Sequence, residues 1–121
     1  MNIQALTDLF SDQLGQKVYN LNFPEFTEGE FIKVEPTTGM VDVGGLKDFN
    51  LQFMTKANHP KRAEHLAIEL INSLHQLRNK EFGGFQLVLM SCQAPIPNYL
   101  GETPQGEFLY SVDFRILATK L

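Results

Sequence analysis

The chain has 121 residues, one cysteine, no tryptophan and a net charge of −4. That length suits one domain over 1–121, with a single core that needs no disulfide or metal staple. The acidic balance, with no basic run longer than Lys61-Arg62, argues against a nucleic-acid-binding face, and Cys92 alone excludes an internal disulfide or a multi-cysteine metal site.

Residues 3 to 14 carry Ile3, Leu6, Leu9, Phe10 and Leu14 at helical spacing, and Gly15 is a natural stop. Lys17 to Phe23 alternates as a strand that Pro24 ends. A polar turn, Thr27-Glu28-Gly29, leads to a second short strand, Glu30 to Glu35. Pro36 to Gly45, with Thr37-Thr38-Gly39 and Gly44-Gly45, reads as a loop. Phe49 to Lys56 returns to strand period.

Asn58-His59-Pro60 then opens the principal helix, with Asn58 as the expected cap and proline tolerated in the first turn. Ala63, Leu66, Ala67, Leu70, Ile71, Leu74 and Leu77 form its apolar stripe, so the helix is expected over about 59–78. After Gly83-Gly84, Phe85 to Met90 forms an apolar strand. A proline arm follows (Ala94-Pro95-Ile96-Pro97-Asn98-Tyr99-Leu100), then a turn over Gly101 to Gly106. Glu107 to Lys120 alternates, with Phe108, Tyr110, Val112, Phe114, Ile116 and Ala118 on one face.

These elements predict an α+β fold. A single four- to five-stranded sheet, mixed or mainly antiparallel, is packed by the long helix and by an N-terminal helix over about 3–14. The step from Phe49–Lys56 through the helix to Phe85–Met90 permits a parallel crossover.

Catalytic patterns are sparse. His59, His65 and His75 are separated by six and ten residues, which scatters them around a helix, and HExxH is absent. His65 and Glu69, four apart, read as a solvated pair. Cys92 among apolar neighbours reads as a small buried side chain, and Ser91 lacks a nucleophile elbow. Gly44-Gly45, Gly83-Gly84 and Gly101 match neither a P-loop nor a dinucleotide fingerprint and read as turns. The dispersed acids (Glu25, Glu28, Glu30, Glu35, Asp42, Asp48) read as solvating groups.

Both faces of several strands are apolar, since Leu109 and Leu117 oppose the Phe108 face and Met54 opposes Phe53. A sheet covered on one side should alternate more cleanly. The N-terminal helix covers the second face, or a neighbouring subunit does. No run of about 18 apolar residues is present, so no membrane-spanning helix is expected. Met1 to Gln4 lacks the start of a secretion signal.

Two stretches carry a family resemblance. One is Gly44-Gly45-Leu46-Lys47 through Leu51-Gln52-Phe53, with the helix Ala67-Ile68-Glu69-Leu70-Ile71-Asn72-Ser73-Leu74. The other is Pro97-Asn98-Tyr99-Leu100-Gly101 with Gly106-Glu107-Phe108-Leu109-Tyr110-Ser111-Val112-Asp113-Phe114. Over roughly 44–121 they resemble the minor capsid or tail terminator proteins of long-tailed bacteriophages.

The resemblance implies a virion protein at the head-proximal end of the tail, made in the host cytoplasm. It implies a ring, a hexamer, that caps the tail tube and prepares it to join the head. Implied partners are further copies of the chain, the tail tube protein and the head–tail connector protein. DNA passes through without being specifically bound. No enzymatic activity, cofactor, metal or membrane is expected.

Interface candidates are Val41, Val43, Pro95, Ile96, Pro97, Tyr99, Leu100, Leu109 and Leu117. The alternative from another class is a small cytoplasmic ligand-binding or enzymatic α+β domain with its pocket beneath the long helix.

Overall fold

The two longest alternating stretches pair with each other. In a computed structural model that describes residues 1–23, 29–37 and 41–121, Leu46–Ala57 and Phe108–Lys120 form a twelve-pair antiparallel ladder from Leu46↔Thr119 to Ala57↔Phe108. The expected strand end at Pro24, the turn at Thr27-Glu28, and the acids Glu25 and Glu28 lie outside the described residues, as does the middle of the Pro36–Gly45 loop.

In chain order the elements are α1 (Ile3–Leu14), β1 (Val18–Asn20), β2 (Phe31–Pro36), β3 (Val41–Val43) and β4 (Leu46–Ala57). They continue with α2 (Pro60–Leu74), β5 (Lys80–Phe82), β6 (Phe85–Cys92), β7 (Asn98–Glu102) and β8 (Phe108–Lys120). The eight strands make one curled mixed sheet of order β1-β2-β4-β8-β6-β5, with β3 on β4 and β7 on β8.

This corrects the expected four- to five-stranded sheet. The missed strands are β3, β5 and β7, three to five residues each. Such short strands carry almost no periodic signal, and each is set beside glycine or proline. Gly44-Gly45 and Gly83-Gly84 are two-residue hairpin turns, with φ of 60° and 85°, and 48° and 81°. Positive φ at both positions gives the turn whose twist suits flanking strands, so both pairs are turns as read, and what the reading lacked is the short strand before each.

The crossover also takes a different form. β4 and β6 run parallel, but β8 lies between them and is antiparallel to both. Each long strand has its outer flank shared by two short ones. On β4, β3 covers 46–48 and β2 covers 51–56; on β8, β7 covers 108–111 and β6 covers 114–120.

Both helices pack on the concave face. Phe10 of α1 sits edge-on to Phe53, with ring centroids 5.1 Å apart, and Phe53 meets Phe114 at 5.4 Å. All three rings are fully buried with Leu6, Leu51, Leu70 and Ile116. The N-terminal helix therefore does not cover the second face. Asn2 caps α1 by accepting from the Gln4 N–H at 2.8 Å, and Gly15 closes it with φ 70°.

α2 starts on His59, whose side chain makes no capping bond, so Asn58 is not the cap. It ends at Leu74 rather than near 78. From Gln76 (φ 66°) the chain turns to bond β6, with Gln76 N–H donating to Met90 O and Met90 N–H to Leu77 O. Buried Thr55 donates its hydroxyl to Ala63 O at 2.8 Å, tying α2 to β4.

Candidate assembly surfaces

The apolar residues expected at interfaces fall into three places. Val41 and Val43 (55% and 69% exposed) stand on β3. There Asp42 accepts from Gly45 N–H and pairs with Lys47, so the hairpin tip neutralises its own charge. Lys47 holds the Asp42 carboxyl below the usual range.

The second group lies across the sheet. Pro95 and Ile96 (73% exposed) occupy the crossing from β6, and Tyr99 and Leu100 (55% and 46%) lie on β7, while Pro97 is half-buried. The stretch read as one proline arm is thus a short crossing followed by a strand on β8. The turn closing the β7–β8 hairpin is tight, with Thr103 N–H donating to Glu107 O at 2.7 Å and Gly106 N–H to Thr103 O at 2.9 Å.

Leu109 and Leu117 form the third group, half-buried on the convex face. Leu117 stands between Asp48 and Leu89, and Leu109 is opposite Lys56. Asp48 and Arg115 form a two-bond pair on that face (3.0 and 2.7 Å), in which each partner favours the charged state of the other. Lys56 lies 3.5 Å from Glu107 and 4.8 Å from the centroid of Phe23, with Lys33 5.1 Å from the same ring. The convex face thus has an apolar end, a charged band and a cation–aromatic end. The structure sets Leu109 beside β7, opposite Gly101, and Leu117 in one cross-strand row with Asp48 and Val41, while the β3 and β7 candidates lie on opposite flanks.

A cleft of about 320 Å³ opens at the C-terminal end of α2, lined by Ile71, His75, Cys92, Gln93, Ala94 and Pro95. A histidine does approach the cysteine, across seventeen residues of sequence. Its Nδ1, however, accepts the backbone N–H of Cys92 at 2.9 Å, and the thiol donates to Ala94 O at 2.8 Å. Cys92 is half-buried, not fully buried as read from its neighbours. Burial pushes its thiol up, and the charge of Asp113 adds to this. A protonated thiol is a poor nucleophile.

Cys92 is therefore expected to react with a disulfide reagent at pH 7 more slowly than free cysteine, as stopped-flow absorbance would measure. A faster reaction would show an activated thiolate. His65 and Glu69 pair at 2.8 Å with both side chains about half exposed. Among the described residues no group of three or more His, Cys, Asp or Glu could hold a metal ion, and no helix is long and apolar enough to cross a membrane.

The molecule is thus a curled sheet with two helices on its concave face and exposed apolar side chains on β3 and β7. The model of a bacteriophage tail terminator protein family matches residues 23–120, and the chain belongs to that family of structural phage tail proteins. A chain from the virion of a native gene transfer agent particle has a similar fold. Its TM-score is 0.63 at 14% identity, over 92% of this chain and 84% of that one. A comparison with curated proteins finds no match.

Proposed function

We propose that this chain closes the head-proximal end of a phage tail as a homomeric ring, a hexamer, and that it acts by contact alone, without enzymatic activity. The observation that carries this reading is the pair of exposed apolar edge strands, β3 and β7, on opposite flanks of the β4–β8 ladder. A closed head-to-tail ring requires two different patches on each subunit, and it hides both on completion. The tail tube protein and the connector are the other partners, and the exposed Pro95-Ile96 crossing is the surface offered to them. A net charge of −4 suits a lumen through which DNA passes without being held.

Light scattering of the purified chain, alone and with tail tubes, tests the reading, with negative-stain imaging of the same samples. The expected result is a ring of one defined mass and tubes that stop growing once capped. A chain that stays monomeric alone and leaves tube growth unchanged refutes it.

A further inference from the structure

Among the described residues the sheet has four strands with a free side, β1, β5, β3 and β7, and α1 packs on two of them. At β1, Val18 N–H donates to Ser11 Oγ at 2.9 Å. At β5, α1 lies so close that a Cβ on Gly83 would stand 2.9 Å from Ala5 Cβ. β5 also carries exposed Lys80 and Glu81, charges of the kind that keep an edge from pairing with another chain.

β3 and β7 are less protected. α1 makes no comparable contact with them and they carry no lysine; exposed valine, tyrosine and leucine stand there beside one acid each, Asp42 on β3 and Glu102 on β7. An edge strand leaves a row of main-chain donors and acceptors without partners, and a second strand satisfies them.

We infer that the β3 edge of one copy pairs with the β7 edge of the next, so that the sheet runs on from subunit to subunit. The inference rests on the ring reading and names the contact that would build it. Strand direction fits. β3 is antiparallel to β4, β4 to β8 and β8 to β7, so β7 of one copy meets β3 of a side-by-side neighbour antiparallel.

Position fits as well. β3 centres opposite Lys47, while β7 is level with Thr55 through Tyr110, eight residues along β4. The neighbour is therefore shifted about 26 Å along the strands and about 19 Å across them, from the rise per residue and the strand spacing. That shift carries the neighbour's β2 past the Phe108 end of β8. It also carries β6 of this copy past the Leu46 end of the neighbour's β4, so neither blocks the junction. Of the two acids at the contact, Asp42 is already paired with Lys47, so its charge does not oppose Glu102 of the facing edge.

Single cysteines placed at Val41, Val43, Tyr99 or Gly101 in a Cys92→Ala background test this. Each β3 variant is mixed with each β7 variant, oxidised, and read by non-reducing electrophoresis. A mixed β3–β7 dimer in at least one combination, exceeding either homodimer, supports the inference. Homodimers as the main product mean a two-fold contact and overturn it. A ring seen by light scattering that gives no β3–β7 cross-link overturns the edge pairing and leaves the ring reading standing. No oligomer, with or without tail tubes, overturns both. If the Cys92→Ala background does not fold, Cys92 is kept and the parent chain is the control. A Val43→Lys, Leu100→Lys variant gives a second readout: loss of the ring with a melting temperature like the parent's. A ring that survives it overturns the inference.

Discussion

Replacing Phe53 with alanine is expected to cost about 3–5 kcal/mol, in the range measured for buried phenylalanine. That is a large share of the roughly 5–15 kcal/mol that holds a typical domain together. The ring is fully buried and is the middle member of a chain of three, edge-on to Phe10 of α1 on one side and to Phe114 of β8 on the other. Its loss leaves a cavity where α1 meets the β4–β8 ladder, and both aromatic contacts go with it. Urea unfolding should show a much lower midpoint with an unchanged slope. Phe31→Ala is the comparison, because Phe31 is half-buried and outside the central cluster. Equal losses from the two variants would mean that the core is not centred on Phe53.

The second large effect is expected at Gly83, where alanine should cost roughly 3 kcal/mol. Part is backbone strain, since φ is 48°, where a side chain crowds its own carbonyl. The rest is overpacking, because the new methyl would stand 2.9 Å from Ala5 Cβ and push α1 off the hairpin. Gly84→Ala separates the two contributions. It has φ 81° with nothing within 4 Å of its Cβ, so only the strain, about 1 kcal/mol, should appear. Thermal melts of the two variants measure the difference. Equal shifts would mean that α1 does not press on this turn. In the Gly83→Ala protein, amide exchange should also quicken in β5 and β1, the two edges that α1 covers.

The parts of the fold legible in the sequence are those where a period runs long enough to be counted. α1 ends at Gly15 because glycine takes the left-handed conformation there, and the spacing of Leu6 and Phe10 already marked its buried face. The face of β8 that carries Val112, Phe114, Ile116 and Ala118 is buried, as its alternation required. β3, β5 and β7 were not legible. Val41-Asp42-Val43 and Lys80-Glu81-Phe82 are too short to alternate, and their status as strands comes from partners on β4 and β6. β7 was hidden behind Pro95 and Pro97, which read as an arm. The end of α2 was misplaced because Leu77 continues the helical stripe in sequence. In space it leaves the helix and accepts a bond from Met90.

Of the interface candidates, the structure speaks only to exposure and placement. Exposed Val41, Val43, Ile96 and Tyr99 were named from their apolar character, but nothing in the sequence placed β3 and β7 on opposite flanks. The His75–Cys92 contact depends on where α2 stops, which spacing alone did not reveal.

The position of β8 between β4 and β6 also sets the order in which the molecule can form. Leu46 pairs with Thr119, so the central ladder joins segments far apart in sequence, and no β-sheet spanning both flanks exists until Phe108–Lys120 has been made. Until then the edges of β4 and β6 that β8 covers in the finished protein have no partner strand. Pairing at such separation slows folding towards the millisecond-to-second range of proteins dominated by non-local contacts. During that interval the chain is at its most vulnerable to aggregation.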